Sequence, residues 1–151
     1  MTGASSGVGF GASIGLARSG FHVVMLCRDQ ARGEAAREAI GRAVPNASSE
    51  LVLADLADFD AVRRAAETIS RAHPRIRLLL NNAGVYLPMR RIGPSGVEMN
   101  FAVHVVGPHL LTERLLPCLR AAAPARIINL TGELHRRAEL VVDDLQLEQG
   151  Y

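Results

Sequence analysis

A segment rich in glycine and serine opens the chain and could bind phosphate. It runs from Thr2 to Gly9 and leads directly into a predicted helix at 7–18. Glycine allows positive φ angles and lets a phosphate approach the backbone, while the helix start offers free N–H groups and a positive dipole end. The candidate cofactor-binding residues of this loop are Gly3, Ser5, Ser6, Gly7, Val8 and Gly9. The alternative is a small-residue turn that caps a helix. A P-loop is disfavoured because the Gly-Lys-Ser/Thr sequence is missing.

A second candidate site, Cys27-Arg28-Asp29, ends the apolar run HVVMLC. In dinucleotide-binding folds an acidic residue at this place binds the ribose 2′-hydroxyl, whereas an arginine accommodates the 2′-phosphate. Cys27 cannot hold the hydroxyl pair, and Arg28 offers a planar cationic group that suits phosphate. The alternative is a solvated arginine at a helix start. The pattern favours NADP over NAD as the cofactor.

The elements that must position these residues alternate along the chain. Short apolar runs predict strands at 22–27, 50–54, 76–80 and 125–130. Helical patterns lie at 7–18, 29–42, 58–71 and 96–119, and Pro108 predicts a kink or break in the last of them. Strands separated by helices indicate right-handed crossovers and a parallel sheet covered on both faces. We therefore predict a single α/β domain over 1–151, a doubly wound, three-layer αβα arrangement.

Composition excludes several classes of protein. The 151 residues are 48% hydrophobic and 21% charged, which favours one folded domain over disorder. A net charge of +2 and few aromatic residues disfavour nucleic-acid binding. No apolar run approaches the ~18 residues of a membrane span. Two distant cysteines, Cys27 and Cys118, predict reduced thiols and a cytoplasmic protein. His104 and His109 do not share a helix face, so no metal site is predicted.

The joint order of these motifs resembles the short-chain dehydrogenase/reductase family. The motif TGxxxGxG is followed by Asp55-Leu56 after one predicted strand and by NNAG after the next. The retinol-dehydrogenase-like branch of the family is resembled by three further stretches, LCRD, GPHLLTERLLPCL and APARIINLTGELH. The resemblance implies a Rossmann-like fold in which Asp55 and Leu56 contact the adenine. It also implies that Asn82, Ala83 and Gly84 lie beside the nicotinamide ribose. Capping by Asp55 and loop hydrogen bonding by Asn82 are compatible structural roles.

The same resemblance implies hydride transfer between a nicotinamide and an apolar alcohol or carbonyl compound. The family uses a serine, a tyrosine, a lysine four residues later and an asparagine. Here Gly132 stands at the serine position and His104 at the asparagine position, YxxxK is absent, and all 17 basic residues are arginine. His104 could relay a proton, although a packed or capping role is the simpler interpretation. We therefore expect no catalysis from the chain as given.

The resemblance also implies that the chain is incomplete. The family's glycine loop follows an apolar first strand, which is central in the sheet, whereas here Met1 alone precedes Thr2. We expect strands 22–27 and 76–80 to pair directly or to leave edges unsatisfied, and we expect low stability and an exposed apolar face. The C-terminal strands are also missing. A homodimer would use 96–119. The functional alternatives are an oxidoreductase domain, a dinucleotide-binding module without catalysis, or a non-functional fragment.

Overall fold

Helices and strands alternate through the whole fold. The structure is a computed structural model that describes residues 1–133, 136 and 140–151. The helices are α1 (Gly7–Arg18), α2 (Gln30–Ala43), α3 (Phe59–Ala72), α4 (Met99–Phe101) and α5 (Gly107–Ala121). The strands are β1 (Val23–Cys27), β2 (Ser49–Leu53), β3 (Leu78–Asn81) and β4 (Arg126–Asn129). Each predicted strand lies within two residues of its predicted bounds.

All strand pairs are parallel, as predicted. β1 pairs with β2 and β3 pairs with β4, which gives two separate two-stranded sheets. Residues 1–3 connect them: the Thr2 N–H donates to the Leu80 carbonyl at 3.0 Å, and the Gly3 N–H donates to the Leu26 carbonyl at 3.0 Å. Of the two expected arrangements, direct pairing or unsatisfied edges, direct pairing of the strands at 22–27 and 76–80 is absent from the described residues. The first three residues join these strands at their carboxyl ends instead.

Hydrophobic clusters cover both faces of the strands. On one face Met25 and Ile40 are fully buried in a cluster that draws on α1 and α2. On the other face Leu79, Val62 and Leu111 belong to a larger cluster with α3 and α5. Alternate side chains of β1 therefore point to opposite layers, which is the pattern of a strand buried on both sides. The predicted α/β, three-layer architecture is confirmed, with an incomplete sheet.

The long predicted helix at 96–119 is divided. A π-helical turn, Ala102–Val106, separates α4 from α5, and Pro108 follows at the start of α5. Proline has no N–H for the carbonyl four residues earlier, so the break falls just before it. Glu98, which is 1% exposed, caps α4 by accepting the N–H groups of Asn100 and Phe101 at 3.0 and 2.7 Å. The predicted break at Pro108 is thus found as a π turn.

Apolar surface remains exposed at two places. A cavity of about 290 Å³ lies between β1 and β3 and is lined by their side chains together with Met1 and Thr2. Every residue of β4 is exposed, including Ile127 at 41% and Ile128 at 44%. The expected exposed apolar face is therefore present. None of the described helices combines the length and apolar character needed to cross a membrane.

Candidate functional site

A cleft of about 380 Å³ opens at the carboxyl ends of the strands. Eleven of the twelve predicted cofactor-binding residues line it, namely Gly3, Ser5, Ser6, Val8, Gly9, Arg28, Asp55, Leu56, Asn82, Ala83 and Gly84. Gly7 is not among the lining residues, although it lies within the same loop. Ligands of parallel α/β sheets bind at this edge. The fold thus brings together motifs that are more than fifty residues apart in sequence.

The glycine loop is held on β3 by a network around Thr2. The Thr2 hydroxyl accepts the N–H groups of Asn82 and Ala83, both at 3.0 Å. The Asn82 amide donates to the carbonyls of Thr2 and Gly3 at 3.0 and 3.2 Å. Thr2 is 1% exposed, so these bonds are shielded from water. Asn82 therefore positions the loop, which agrees with the hydrogen-bonding role considered for it above.

Close packing explains two of the glycines, and open space surrounds a third. A Cβ on Gly3 would lie 2.7 Å from Ala83 Cα, and one on Gly9 would overlap the Gly3 carbonyl oxygen. Gly3 also has a φ of 65°, which side chains rarely adopt. Gly7 has a φ of 54°, and a Cβ added there would meet no atom within 4 Å. The loop is therefore tight against the fold and open on its outer side.

Helix α1 begins at this loop without a side-chain cap. Ser6 occupies the N-cap position in an extended conformation, yet its hydroxyl makes no capping hydrogen bond. The first N–H groups of a helix are unsatisfied unless a cap, water or ligand accepts them. An anion at this position would therefore meet free N–H groups and the positive end of the helix dipole.

Two arginines stand at one end of the cleft. Arg28 follows β1, Arg32 lies in the first turn of α2, and both line the cleft. The Asp29 carboxylate accepts the Arg32 N–H at 2.9 Å and so caps α2. This corner therefore joins two guanidinium groups with a helix N-terminus. Sequence reasoning identified Arg28 and missed Arg32, although the spacing of four residues at a helix start could have indicated it.

The Asp55–Leu56 segment lines the cleft next to this corner, since the Ala54 N–H donates to the Cys27 carbonyl at 2.9 Å. Asp55 Oδ1 accepts the Ala57 N–H at 2.9 Å, so this carboxylate caps a turn, which is the structural role considered for it above. Leu56 is 4% exposed and belongs to the larger core cluster. Gly107 packs so closely on the Leu56 carbonyl that a Cβ there would overlap it. Helix α5 thereby fixes the position of this segment.

The positions of the catalytic residues implied by the resemblance hold other groups. Gly132 follows β4, and a Cβ there would meet no atom within 4 Å. His104 lies in the π turn, where its Nε2 contacts the Val85 carbonyl at 2.7 Å and the Val85 N–H at 3.2 Å. This contact supports the packed or capping role of His104. The hydroxyl of Tyr151 donates to the Leu87 carbonyl at 2.7 Å, and Tyr86 is 83% exposed.

Both cysteines are free and buried. Cys27 lies at the end of β1 on the cleft wall, where burial raises the pKa of its thiol. A raised pKa keeps the thiol protonated near neutral pH, so Cys27 is neither a nucleophile nor an added negative charge. The end of the cleft that carries Arg28 and Arg32 therefore keeps its positive character.

Comparison with known proteins gives one consistent family. The sequence profile of the short chain dehydrogenases matches residues 1–138. Retinol dehydrogenase 14 from Mus musculus is 36% identical over 100% of this chain and 48% of its own length. Retinol dehydrogenase 13 from Homo sapiens is 37% identical over 96% of this chain and 44% of its own length. The chain thus spans about half the length of the curated relatives it matches.

Solved structures agree with this result. An uncharacterized protein from Mycobacterium paratuberculosis is similar with a TM-score of 0.84 and 29% identity, over 99% of this chain and 51% of its own. A metagenomic short-chain oxidoreductase in complex with NADP has a TM-score of 0.75 and 31% identity, over 87% and 60% of the respective chains. Sequence and fold therefore point to the same family.

Proposed function

The chain belongs to the short chain dehydrogenase family, and we propose that its cleft binds NADP(H) in preference to NAD(H). The observation that carries this proposal is the convergence of the glycine loop, Arg28 and Arg32 in one cleft at the strand ends. By lineage, the reaction served is hydride transfer between the nicotinamide and an apolar alcohol or carbonyl compound. We further propose that the 151-residue chain binds the dinucleotide without completing that reaction.

The donors in the cleft fit a phosphorylated dinucleotide. The uncapped N-terminus of α1 and the hydroxyls of Ser5 and Ser6, which line the cleft, suit the bridging phosphates. Arg28 and Arg32 provide two cationic groups for the 2′-phosphate, and each could donate two hydrogen bonds to it. The Asp29 carboxylate caps α2 and so remains engaged with the protein backbone. A site that bound the unphosphorylated ribose would place a free acidic group here instead.

The step that the chain is not equipped to perform is the transfer of a proton to or from the alcohol oxygen. When bound, NADP(H) supplies or accepts the hydride, whereas the protein must supply a general acid of suitable pKa for the alcohol oxygen. The chain contains no lysine to lower the pKa of a tyrosine, and Gly132 offers no hydroxyl at the family's serine position. His104 is engaged with the backbone of Val85. These observations support binding without turnover.

Calorimetric titration of the purified chain with NADPH and with NADH would test the proposal. NADPH should bind more tightly than NADH. Arg28→Ala should weaken NADPH binding about 10- to 100-fold, since a hydrogen bond to a charged group contributes about 1.5–3 kcal/mol. The affinity for NADH, which lacks the 2′-phosphate, should change little. Arg18→Ala provides the matched control because Arg18 is exposed and outside the cleft lining.

Three results would contradict the proposal in different ways. Equal affinities for NADPH and NADH would overturn the cofactor preference. Failure of a folded sample to bind either dinucleotide would favour the non-functional fragment. Oxidation of NADPH in the presence of an apolar aldehyde would show that the chain supplies its own general acid. Folding of each sample is checked by circular dichroism before the titration.

A further inference from the structure

A cluster of two histidines and one glutamate lies at the amino-terminal ends of the strands, opposite the dinucleotide cleft. His22 directly precedes β1, Glu50 is the second residue of β2, and His73 caps the C-terminus of α3. The parallel register pairs Val24 with Glu50, and α3 returns from the carboxyl ends to bring His73 beside them. We propose that this cluster is a binding site for a divalent transition-metal ion, with Zn²⁺ as the best match.

The distances among the three side chains suit a small ion. His73 Nε2 lies 2.6 Å from Glu50 Oε1, and His22 Nε2 lies 3.9 Å from Glu50 Oε2. One ligand atom from each residue lies within 4.8 Å of the others. Tetrahedral zinc with bonds of about 2.0–2.1 Å places two ligand atoms roughly 3.4 Å apart. The observed separations bracket this value, so modest side-chain rotations complete the site.

A neighbouring hydroxyl group orients the imidazole ring of His22 for coordination. His22 Nδ1 lies 2.6 Å from the Ser48 hydroxyl, which leaves Nε2 directed towards Glu50. Metal-binding histidines generally hold their second nitrogen in this way. The backbone around these groups is also fixed, since the Val23 N–H donates to the Ser48 carbonyl at 2.9 Å. The His73 N–H donates to the Ile69 carbonyl at 2.7 Å at the end of α3.

The donor set selects the kind of ion. Two imidazoles and one carboxylate favour zinc and neighbouring transition metals, whereas Mg²⁺ and Ca²⁺ require a shell of oxygen atoms. Arg75 and Arg77 line the cavity that His22 and His73 also line, so the surroundings do not attract cations in general. Binding must therefore come from direct coordination. Three protein ligands leave the fourth position of a tetrahedral ion to water.

The experiment uses the untagged 151-residue chain, first dialysed against EDTA and then titrated with ZnCl₂ alone. Equilibrium dialysis should show one Zn²⁺ per chain with a Kd on the order of micromolar. Because the ligands come from β1, β2 and α3, binding should also raise Tm by roughly 5–10 °C at a hundredfold excess of Zn²⁺ over Kd. Co²⁺ in place of Zn²⁺ should give the absorption bands of a tetrahedral site.

The variants separate this site from general surface binding. His22→Ala should reduce the affinity for Zn²⁺ at least tenfold. His73→Gln should reduce it by the same factor, although the glutamine amide can still donate a hydrogen bond to Glu50. His109→Ala is the matched control, since His109 also lies near a glutamate, at 3.9 Å from Glu113, but outside the cluster. The proposal is overturned if the folded parent chain binds no Zn²⁺. It is equally overturned if His22→Ala and His73→Gln bind Zn²⁺ as tightly as the parent.

Discussion

Gly9 lies so close to the backbone of the glycine loop that no Cβ fits at this position. A Cβ at this position would overlap the Gly3 carbonyl and the Asn82 amide, both of which shape the loop. Gly9→Ala should therefore lower the free energy of unfolding by about 2 kcal/mol or more, because the backbone on both sides must shift. Urea unfolding followed by circular dichroism measures this change.

Gly11 gives the matched control in the same helix. A Cβ there would meet no atom within 4 Å, and the position is exposed. Gly11→Ala should thus raise the free energy of unfolding by about 0.5–1 kcal/mol, the usual gain from replacing glycine in a helix. If Gly9→Ala proved as stable as Gly11→Ala, the close approach of α1 to the glycine loop would be wrong.

At the same scale, the sequence predicted the residues of the cleft better than their individual roles. The glycine loop, Arg28 and Asn82 each belong to a motif with local spacing, so a single sequence could identify them. The contribution of Arg32 to the cleft depends on how α2 starts against β1. The contact between His22, Glu50 and His73 depends on the register of β1 with β2 and on the length of α3. Neither relation is encoded in local spacing.

At the scale of elements, helix α3 depends on the cap at Asp58. Its Oδ1 accepts the N–H groups of Asp60 and Ala61 at 3.1 and 3.0 Å. Asp58→Ala leaves these donors without a side-chain partner and should cost about 1 kcal/mol of unfolding free energy. Asp58→Asn removes the charge but keeps the accepting oxygen, so it should cost much less. Equal losses in the two variants, measured by urea unfolding, would assign the effect to charge rather than to capping.

The elements themselves were largely predictable because their signals are periodic. The β-branched run of β1 and the helical patterns of α2 and α3 predicted bounds close to those found. The exception is the segment before α5, where Pro108 indicated a break but not its form. The π turn, Ala102–Val106, lies directly before Gly107, which packs against the Leu56 carbonyl. That contact is tertiary and leaves no periodic signal.

At the scale of the whole molecule, three residues hold the two sheets together. Residues 1–3 bond to both β1 and β3 at one end, while a cavity separates these strands at the other. The sequence pattern did not reveal that so short a segment bridges the two sheets. The reason is that two or three hydrogen bonds need no apolar pattern, whereas pattern reasoning detects only longer strands.

The amino group of Met1 makes the stability of the 151-residue chain depend on pH. It donates to the Val24 carbonyl at 2.6 Å, and burial lowers its pKa from 8.0 to about 6. Between these values the unfolded chain binds more protons than the folded chain, so the free energy of unfolding should rise with pH. The gain from pH 6 to 8 should be about 2 kcal/mol, because lowering the pKa by about two is worth about 1.36 kcal/mol per unit and only part of it develops between the two pKa values. Urea unfolding at several pH values measures it.

Acetylation of the amino group isolates this effect from the contributions of the other titratable groups. The acetylated chain carries no charge at Met1 in either state, so the contribution of this group to the pH dependence should disappear. The cavity of about 290 Å³ beside Met1 has room for the added atoms, which limits any steric cost. The acetylated chain should therefore gain less stability than the free chain between pH 6 and 8. Parallel curves for the two chains would mean that the Met1 amino group is solvated in the folded state and does not form its buried hydrogen bond to the Val24 carbonyl.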